Sequence, residues 1–310
     1  MSKRRRKGDS RARDWAKARR VLAEHKSRLL RRKGVVGVDI GIKRSEGQLI
    51  DGPSIRVHVA KKIDEADLHP NQRLPESIEG VPVDVIESPL IASACPRGSF
   101  QHRNTAEPLV AGVSIGRFGE RTFGTLGATA LDADGVPGGL TCAHVARTAD
   151  EIRQRHQIGR VIGDVTIEQD DDTVDAAFIM YRDDCDWRAE VLNYGPTEPT
   201  PIDIAPEDLP FAVELVGACS GKTTGLVTSL SFTGNVETPS GPKTVTEQLY
   251  IEAHNCLVFA RTGDSGGGVL AGGHYAGLLI AAGSPQSGGS GLATPMRRVL
   301  SRLGVTLADD

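Results

Sequence analysis

From Ser10 to Lys33 the chain holds neither Pro nor Gly, and Trp15, Ala18, Leu22 and Leu29 fall on one narrow stripe at helical spacing, with His25 among them. Ala, Arg, Leu and Lys favour helix, so this stretch is expected to be an amphipathic helix. Residues 1–9, rich in Lys and Arg, read as a solvated tail. After Gly34 the period changes. Val35–Ile42 is apolar-rich, Ser54–Ala60 alternates as a half-buried strand does, and Val81–Ile86 reads as a third strand. Pro82 cannot donate to a ladder, which puts that strand near a sheet edge. Asp64–Leu68 suits a helical turn or two. Beyond Leu109, short runs of Val, Ile, Leu and Thr recur between Gly and Pro, the pattern of a β-rich, turn-rich body. A last helix is expected after Thr294 as N-cap, with Pro295 at its first position and Met296, Val299, Leu300 and Leu303 as its apolar face before Gly304.

These elements divide the chain. Residues 1–33 form the basic tail and helix, and residues 34–91 a small α+β domain. Residues 92–108, around Cys95-Pro96-Arg97-Gly98, read as a linker. The body spans 109–305 in two β-rich halves, 109–194 and 211–305, joined by a Pro-rich crossover from Gly195 to Pro210.

Composition sharpens this picture at three points. The 310 residues include 36 Gly but only 4% aromatics, consistent with many turns and short strands. The net charge of −3 hides an asymmetry: residues 1–33 carry 15 Lys/Arg against 3 Asp/Glu, net +12, leaving −15 for the remainder. Such an arm either docks its stripe on the body or a neighbouring subunit, or meets an anionic partner such as nucleic acid. Docking is favoured, because no nucleic-acid motif accompanies it. Five scattered cysteines (Cys95, Cys142, Cys185, Cys219, Cys256) lack CxxC spacing, which argues against a disulfide framework or a zinc site. With no apolar leader and no run of ~18 apolar residues, the expectation is a cytoplasmic protein without a membrane span.

The candidate chemistry centres on Arg261-Thr262-Gly263-Asp264-Ser265-Gly266-Gly267-Gly268, which puts a hydroxyl on a tight turn among glycines before the apolar Val269 and Leu270. That context suits an attacking Ser beside backbone N–H groups aimed at developing negative charge. Upstream, Leu140-Thr141-Cys142-Ala143-His144-Val145 delivers a His from an apolar strand end, the general base such a hydroxyl needs. Between them Thr173-Val174-Asp175-Ala176-Ala177-Phe178 places an acid at the mouth of an apolar strand. Asp170, Asp171 and Asp172 compete for the acid's role, but only Asp175 leads directly into the apolar run. His58 points from a strand and reads as an ordinary strand residue. Gly221-Lys222-Thr223-Thr224-Gly225 lacks the earlier Gly and the following long helix of a phosphate-binding loop, so it reads as a β-turn. No metal or cofactor is assigned.

The ordered set TCAH, VDAA and GDSGG resembles the trypsin-like serine peptidases, with their T-A-A-H, Asp and Ser segments. The segments GVVGVDIG, SIRVHVAKK and LPESIEGVPVDVIE, with GLATPMRRVLSRLGVTL near the end, resemble the NAL1-like (Narrow leaf 1) group of that family. The resemblance implies a mainly β, chymotrypsin-like double β-barrel behind a small N-terminal domain, acting as a serine endopeptidase on protein or peptide substrates. It implies a catalytic triad of His144, Asp175 and Ser265, an oxyanion hole from the N–H groups of Gly263 and Ser265, and Asp264 buried behind that loop. It also makes self-association as a homo-oligomer an expectation. The alternative is a protease-fold scaffold with little turnover. The specificity position six residues before Ser265 is Phe259, and the pocket wall falls on Ile280, Ala281, Ala282 and Gly283, which points to an uncharged P1 side chain. Secreted relatives often carry Cys after the His, where this chain has Val145, and Gly268 stands where Pro is usual. With a domain ahead of the barrels, the Ser loop is expected to be ordered without activation cleavage, through a basic partner for Asp264.

Overall fold

The structure, a computed structural model, describes residues 2–309 except 46–47, 89, 92–105, 119, 121–122, 155–158, 239–240, 256–257 and 284–288. Most of the expected linker therefore lies outside the described residues. The N-terminal part comprises α1 (Ser2–Leu30), β1 (Val35–Ser45), β2 (Gln48–Val59), β3 (Ser77–Ile78), β4 (Val81–Glu87) and β5 (Leu90–Ile91). The body's first half holds β6 (Leu109–Ala111), β7 (Ser114–Arg117), β8 (Gly124–Thr125), β9 (Ala128–Leu131), β10 (Pro137–Thr141), β11 (Glu151–Gln154), β12 (Val161–Asp170), β13 (Asp175–Tyr181), β14 (Trp187–Val191) and β15 (Gly195–Pro196). The second half holds β16 (Phe211–Gly217), β17 (Gly221–Thr238), β18 (Gly241–Ala253), β19 (Gly268–Ala271), β20 (His274–Gly283) and β21 (Gly291–Pro295), then α2 (Met296–Leu303) and β22 (Thr306–Leu307).

The first half closes around the sheet β22-β9-β10-β13-β12-β11-β7-β8, with β15-β14-β6 beside it. The second half runs β16-β19-β20-β21-β18-β17, and β16 pairs back onto β17 to close the barrel. The 34–91 region does not stand apart. β1 pairs with β17 in antiparallel register, Val38 opposite Thr233 and Gly41 opposite Ser229, and β2, β4 and β3 extend that same sheet. The close crossing depends on Gly41, where a Cβ would lie 2.4 Å from the Thr228 carbonyl oxygen and 2.5 Å from the Arg56 guanidinium.

The helical stripe is buried as its spacing requires: Trp15, Ala18, Leu22 and Leu29, joined by Val21, pack in one core with Val38, Ile40, Val57 and the second barrel's Val213, Leu215 and Val227. The helix also starts earlier than expected. It runs from Ser2 through the segment read as a solvated tail, because extending an existing helix fixes one residue per added hydrogen bond and needs no new nucleus. At the other end Pro295 occupies the N-cap of α2 and Thr294 remains in β21, one residue from the expected register. Gly304 closes α2 at φ 69°, and Met296, Val299, Leu300 and Leu303 are buried as expected. The GKTTG segment opens β17 directly after a tight hairpin with β16, with no helix following.

Where the N-terminal strands meet the barrel, a set of charges is removed from water. The Arg56 guanidinium donates to both oxygens of Asp39 at 2.6 Å each, to Thr228 Oγ1 at 2.8 Å and to Glu252 Oε1 at 3.3 Å. His58 Nε2 lies 3.1 Å from Asp39 Oδ2, its ring against Phe232 and Tyr250, so this strand histidine belongs to a buried ionic network. Burial alone would raise the Asp39 pKa, yet Arg56 and His58 hold it well below the usual carboxylate range.

Candidate active site

Two elements of the first half present the acid and the base. β10 ends at Thr141, and the turn after it carries His144; β13 begins at Asp175. β10 and β13 are paired, which brings the two side chains together. Asp175 Oδ2 lies 2.7 Å from His144 Nδ1, and Asp175 Oδ1 accepts the His144 backbone N–H at 3.1 Å. Burial pushes the Asp175 pKa up, but His144 and Lys243 together bring it below the ordinary carboxylate value. An ionised Asp175 is acceptor-only, so Nδ1 carries the imidazole proton and Nε2 keeps its lone pair. Nε2 is buried and makes no hydrogen bond to any described residue, Ser265 included.

The rival acids take other work. Asp171 Oδ1 accepts from Thr173 N, Thr173 Oγ1 and Val174 N, capping the turn before Asp175, and Asp171 also pairs with Arg302. Those bonds outweigh its partial burial and set its pKa at about 2. Asp170 pairs with Lys243, and Asp172 gives its carbonyl to Thr246 N at 2.6 Å.

The Ser265 loop comes from the second barrel and seats on the first. Its carbonyl accepts Thr125 N at 2.8 Å, Thr125 Oγ1 donates to Gly263 O at 3.0 Å, and Cys142 Sγ donates to Leu279 O at 3.1 Å. Leu279 O also accepts Gly266 N at 2.7 Å, so the loop lies against the strand end that leads to His144. Ser265 is 3% exposed.

Within the loop the amides alternate. Asp264 N donates to Arg261 O, Gly266 N to Leu279 O and Gly267 N to Asp264 O. Among the described residues the N–H groups of Gly263 and Ser265 have no acceptor. Gly263 has φ 98° and Gly266 φ 89°, values that L side chains resist, and this left-handed backbone sets the alternation. Asp264 anchors the loop from behind. Its Oδ1 accepts Cys219 N at 2.8 Å and Ser220 N at 3.0 Å; its Oδ2 accepts Ser220 Oγ and Arg261 N. The expected basic partner is thus replaced by neutral donors from the hairpin turn between β16 and β17, and burial keeps the Asp264 pKa above the ordinary value. Gly217 makes room for this carboxylate, since a Cβ there would lie 2.2 Å from Asp264 Oδ1.

The four pocket candidates divide between two cores. Phe259 is fully buried, donates N–H to Gly289 O and shares a core with Ala282. Ile280 and Ala281 belong to the other core, with Tyr250 and Tyr275. A bulge between Leu279 and Ala281 interrupts the alternation of β20, so the neighbours Ile280 and Ala281 face the same core. Beyond it, β5 pairs with Ala282 and Gly283.

Cys142, His144 and Asp175 place donor atoms within 4.8 Å of one another. The Cys142 thiol is pushed well above its ordinary pKa by burial and by Asp175, and His144 Nδ1 is committed to Asp175. No metal is assigned there. Sequence reasoning did not reach Lys243, whose ammonium, from the far end of the β17–β18 hairpin, lies 3.9 Å from Asp175 Oδ2. The hairpin reaches the first half because its two strands run 18 and 13 residues.

The fold is that of the chymotrypsin-like serine proteases, a double β-barrel with its candidate site between the halves. Cellulomonas bogoriensis chymotrypsin is 24% identical with a TM-score of 0.51, covering 65% of this chain and 98% of its own. Thermobifida fusca protease A is 21% identical with a TM-score of 0.52, covering 65% and 98%. A glutamic-acid-specific serine protease, described as using a histidine triad in substrate binding, is 21% identical with a TM-score of 0.52, covering 64% and 100%. Ahead of the barrels, residues 20–86 match the NARROW LEAF 1 N-terminal domain. No curated protein sequence matches the chain. Among the described residues no helix is long and apolar enough to cross a membrane.

Proposed function

We propose that the chain is a serine endopeptidase that cleaves peptide bonds through an acyl-enzyme. The observation that carries this reading is the pairing of the His144–Asp175 dyad, its carboxylate buried, with a Ser265 loop whose Gly263 and Ser265 amides are left without acceptors among the described residues while their neighbours are bonded. Ser265 Oγ attacks the scissile carbonyl carbon as His144 Nε2 takes its proton, and negative charge on the carbonyl oxygen is met by the two amides. The amine leaves with the proton from His144. Water then attacks the acyl carbon, gives a proton to the same nitrogen, and frees the acid and Ser265. An extended substrate would add to the edge of β20 between Leu279, tied to the Ser265 loop, and Ala282, already paired with β5.

The buried free thiols of Cys142, Cys185 and Cys219 suit a reducing compartment such as the cytoplasm. The test is direct. A fluorophosphonate probe should label the full-length chain and leave Ser265→Ala unlabelled; absence of labelling in both would favour a non-catalytic scaffold. A peptide library should show cleavage after uncharged residues at least about tenfold faster than after Arg or Lys, because Ile280, Ala281, Ala282 and Phe259 offer no carboxylate to pair a cationic side chain. Preferred cleavage after Arg or Lys would overturn that preference.

A further inference from the structure

We infer that Lys243 is a positioning residue for the His144–Asp175 dyad, its ammonium offsetting the charge of the two facing carboxylates Asp170 and Asp175. The inference rests on the peptidase reading for its kinetic consequence, but its electrostatic core does not.

The geometry comes from strand register. Asp170 closes β12 and Asp175 opens β13, and the two are directly opposite across the ladder. Like charges in that relation repel. Asp175 is buried and Asp170 is exposed. Lys243 reaches over from the second barrel, pairs with Asp170 and lies 3.9 Å from Asp175 Oδ2. Its hairpin is fixed there by Thr246 N donating to Asp172 O at 2.6 Å and Gln248 Nε2 donating to Thr173 O at 3.0 Å. The ammonium is therefore held at the dyad by contacts other than its own, with its side chain 26% exposed.

The remaining charged and titratable neighbours are accounted for. On the base's own segment, Cys142 is a buried neutral thiol. Asp171 is paired with Arg302 of α2, and Arg298 donates to the carbonyls of Thr173 and Glu247.

The sign follows from the charges. A cation beside Asp175 disfavours a second cation on the imidazole, and an anion there favours one. Lys243→Met leaves Asp170 and Asp175 without their shared cation, favours imidazolium, and should move both the NMR titration of the His144 ring and the acid limb of kcat/KM up by about one pH unit. Asp170→Asn should move both down. Lys243→Arg should resemble the wild type. The double variant Lys243→Met/Asp170→Asn removes one charge of each sign and should return close to the wild type, an outcome that a merely structural role for Lys243 does not produce.

The titrations are run on the full-length chain, with thermal midpoints recorded for each variant. If Lys243→Met fails to fold, Asp170→Asn still decides the question by its opposite shift. An unmoved titration in either single variant, or a double variant that keeps the Lys243→Met shift, overturns the inference. Ring titrations that shift as stated while fluorophosphonate labelling fails would instead count against the peptidase reading alone.

Discussion

Replacing Asp264 with Asn is expected to lower kcat/KM for a peptide substrate by about two to three orders of magnitude, the range seen when one oxyanion donor is lost. The reason is geometric. Asp264 Oδ1 faces two N–H donors, Cys219 and Ser220, whereas Oδ2 faces one N–H, Arg261, and one hydroxyl, Ser220, which can also accept. The new amide nitrogen therefore settles on the Oδ2 side, where the Arg261 N–H loses its acceptor. That bond ties the turn from Arg261 to Asp264, and Gly263 lies inside it.

Stability should change far less than activity. Burial raises the Asp264 pKa, so for this acid ionisation costs stability as pH climbs from the unfolded value, about 3.9, through the folded one. A neutral Asn lacks that cost, which offsets part of the lost hydrogen bond. Pre-steady-state phosphonylation of Ser265 by a fluorophosphonate and thermal unfolding, measured on the same samples, separate the two effects. A variant phosphonylated at the wild-type rate would show that Gly263 does not depend on this anchor.

The same loop shows what the sequence reveals and what it withholds. Gly263, Asp264, Ser265 and Gly266 are contiguous, and their roles follow from backbone conformations that glycine permits, so the local chemistry is legible from the letters alone. Asp264's partners are not. They are backbone amides of a turn some 44 residues earlier, and any residue type supplies an amide. Lys243 is hidden for a related reason: a lysine on a long hairpin announces nothing until the register of Asp170 and Asp175 is known. The facing of the pocket candidates is a third such case, since a single bulge in β20 puts Ile280 and Ala281 on the same side, and a bulge leaves little trace in composition. The helical stripe was legible because its spacing is a local property; its docking partner was not, because β1 joins β17 through backbone bonds between residues about 190 positions apart.

That long-range join makes the second large prediction. Arg56→Met should destabilise the whole protein by about 3–5 kcal/mol, the cost of leaving a buried charge without its partner. Asp39 is fully buried, with 0% exposure to solvent, and receives two 2.6 Å bonds from the guanidinium. Because Arg56 also reaches Thr228 and Glu252, the loss falls on the seam between β2 and the β17–β18 hairpin, and the second barrel should unfold with the N-terminal strands in one transition. The double variant Asp39→Leu/Arg56→Met removes both charges and should be less destabilised than Arg56→Met alone, a non-additivity that simple loss of packing would not give. The pH dependence supplies a separate check. Asp39 is an acid with a depressed folded pKa, so its stabilisation is present above about pH 4 and is lost as pH falls toward the folded value. Urea midpoints for the wild type should therefore drop on acidification below about pH 4, with a shallower drop in Arg56→Met, where nothing depresses Asp39 to the same degree. Two separate unfolding transitions in the wild type, or equal acid sensitivity in both proteins, would mean that the N-terminal strands and the barrel do not depend on this ion pair.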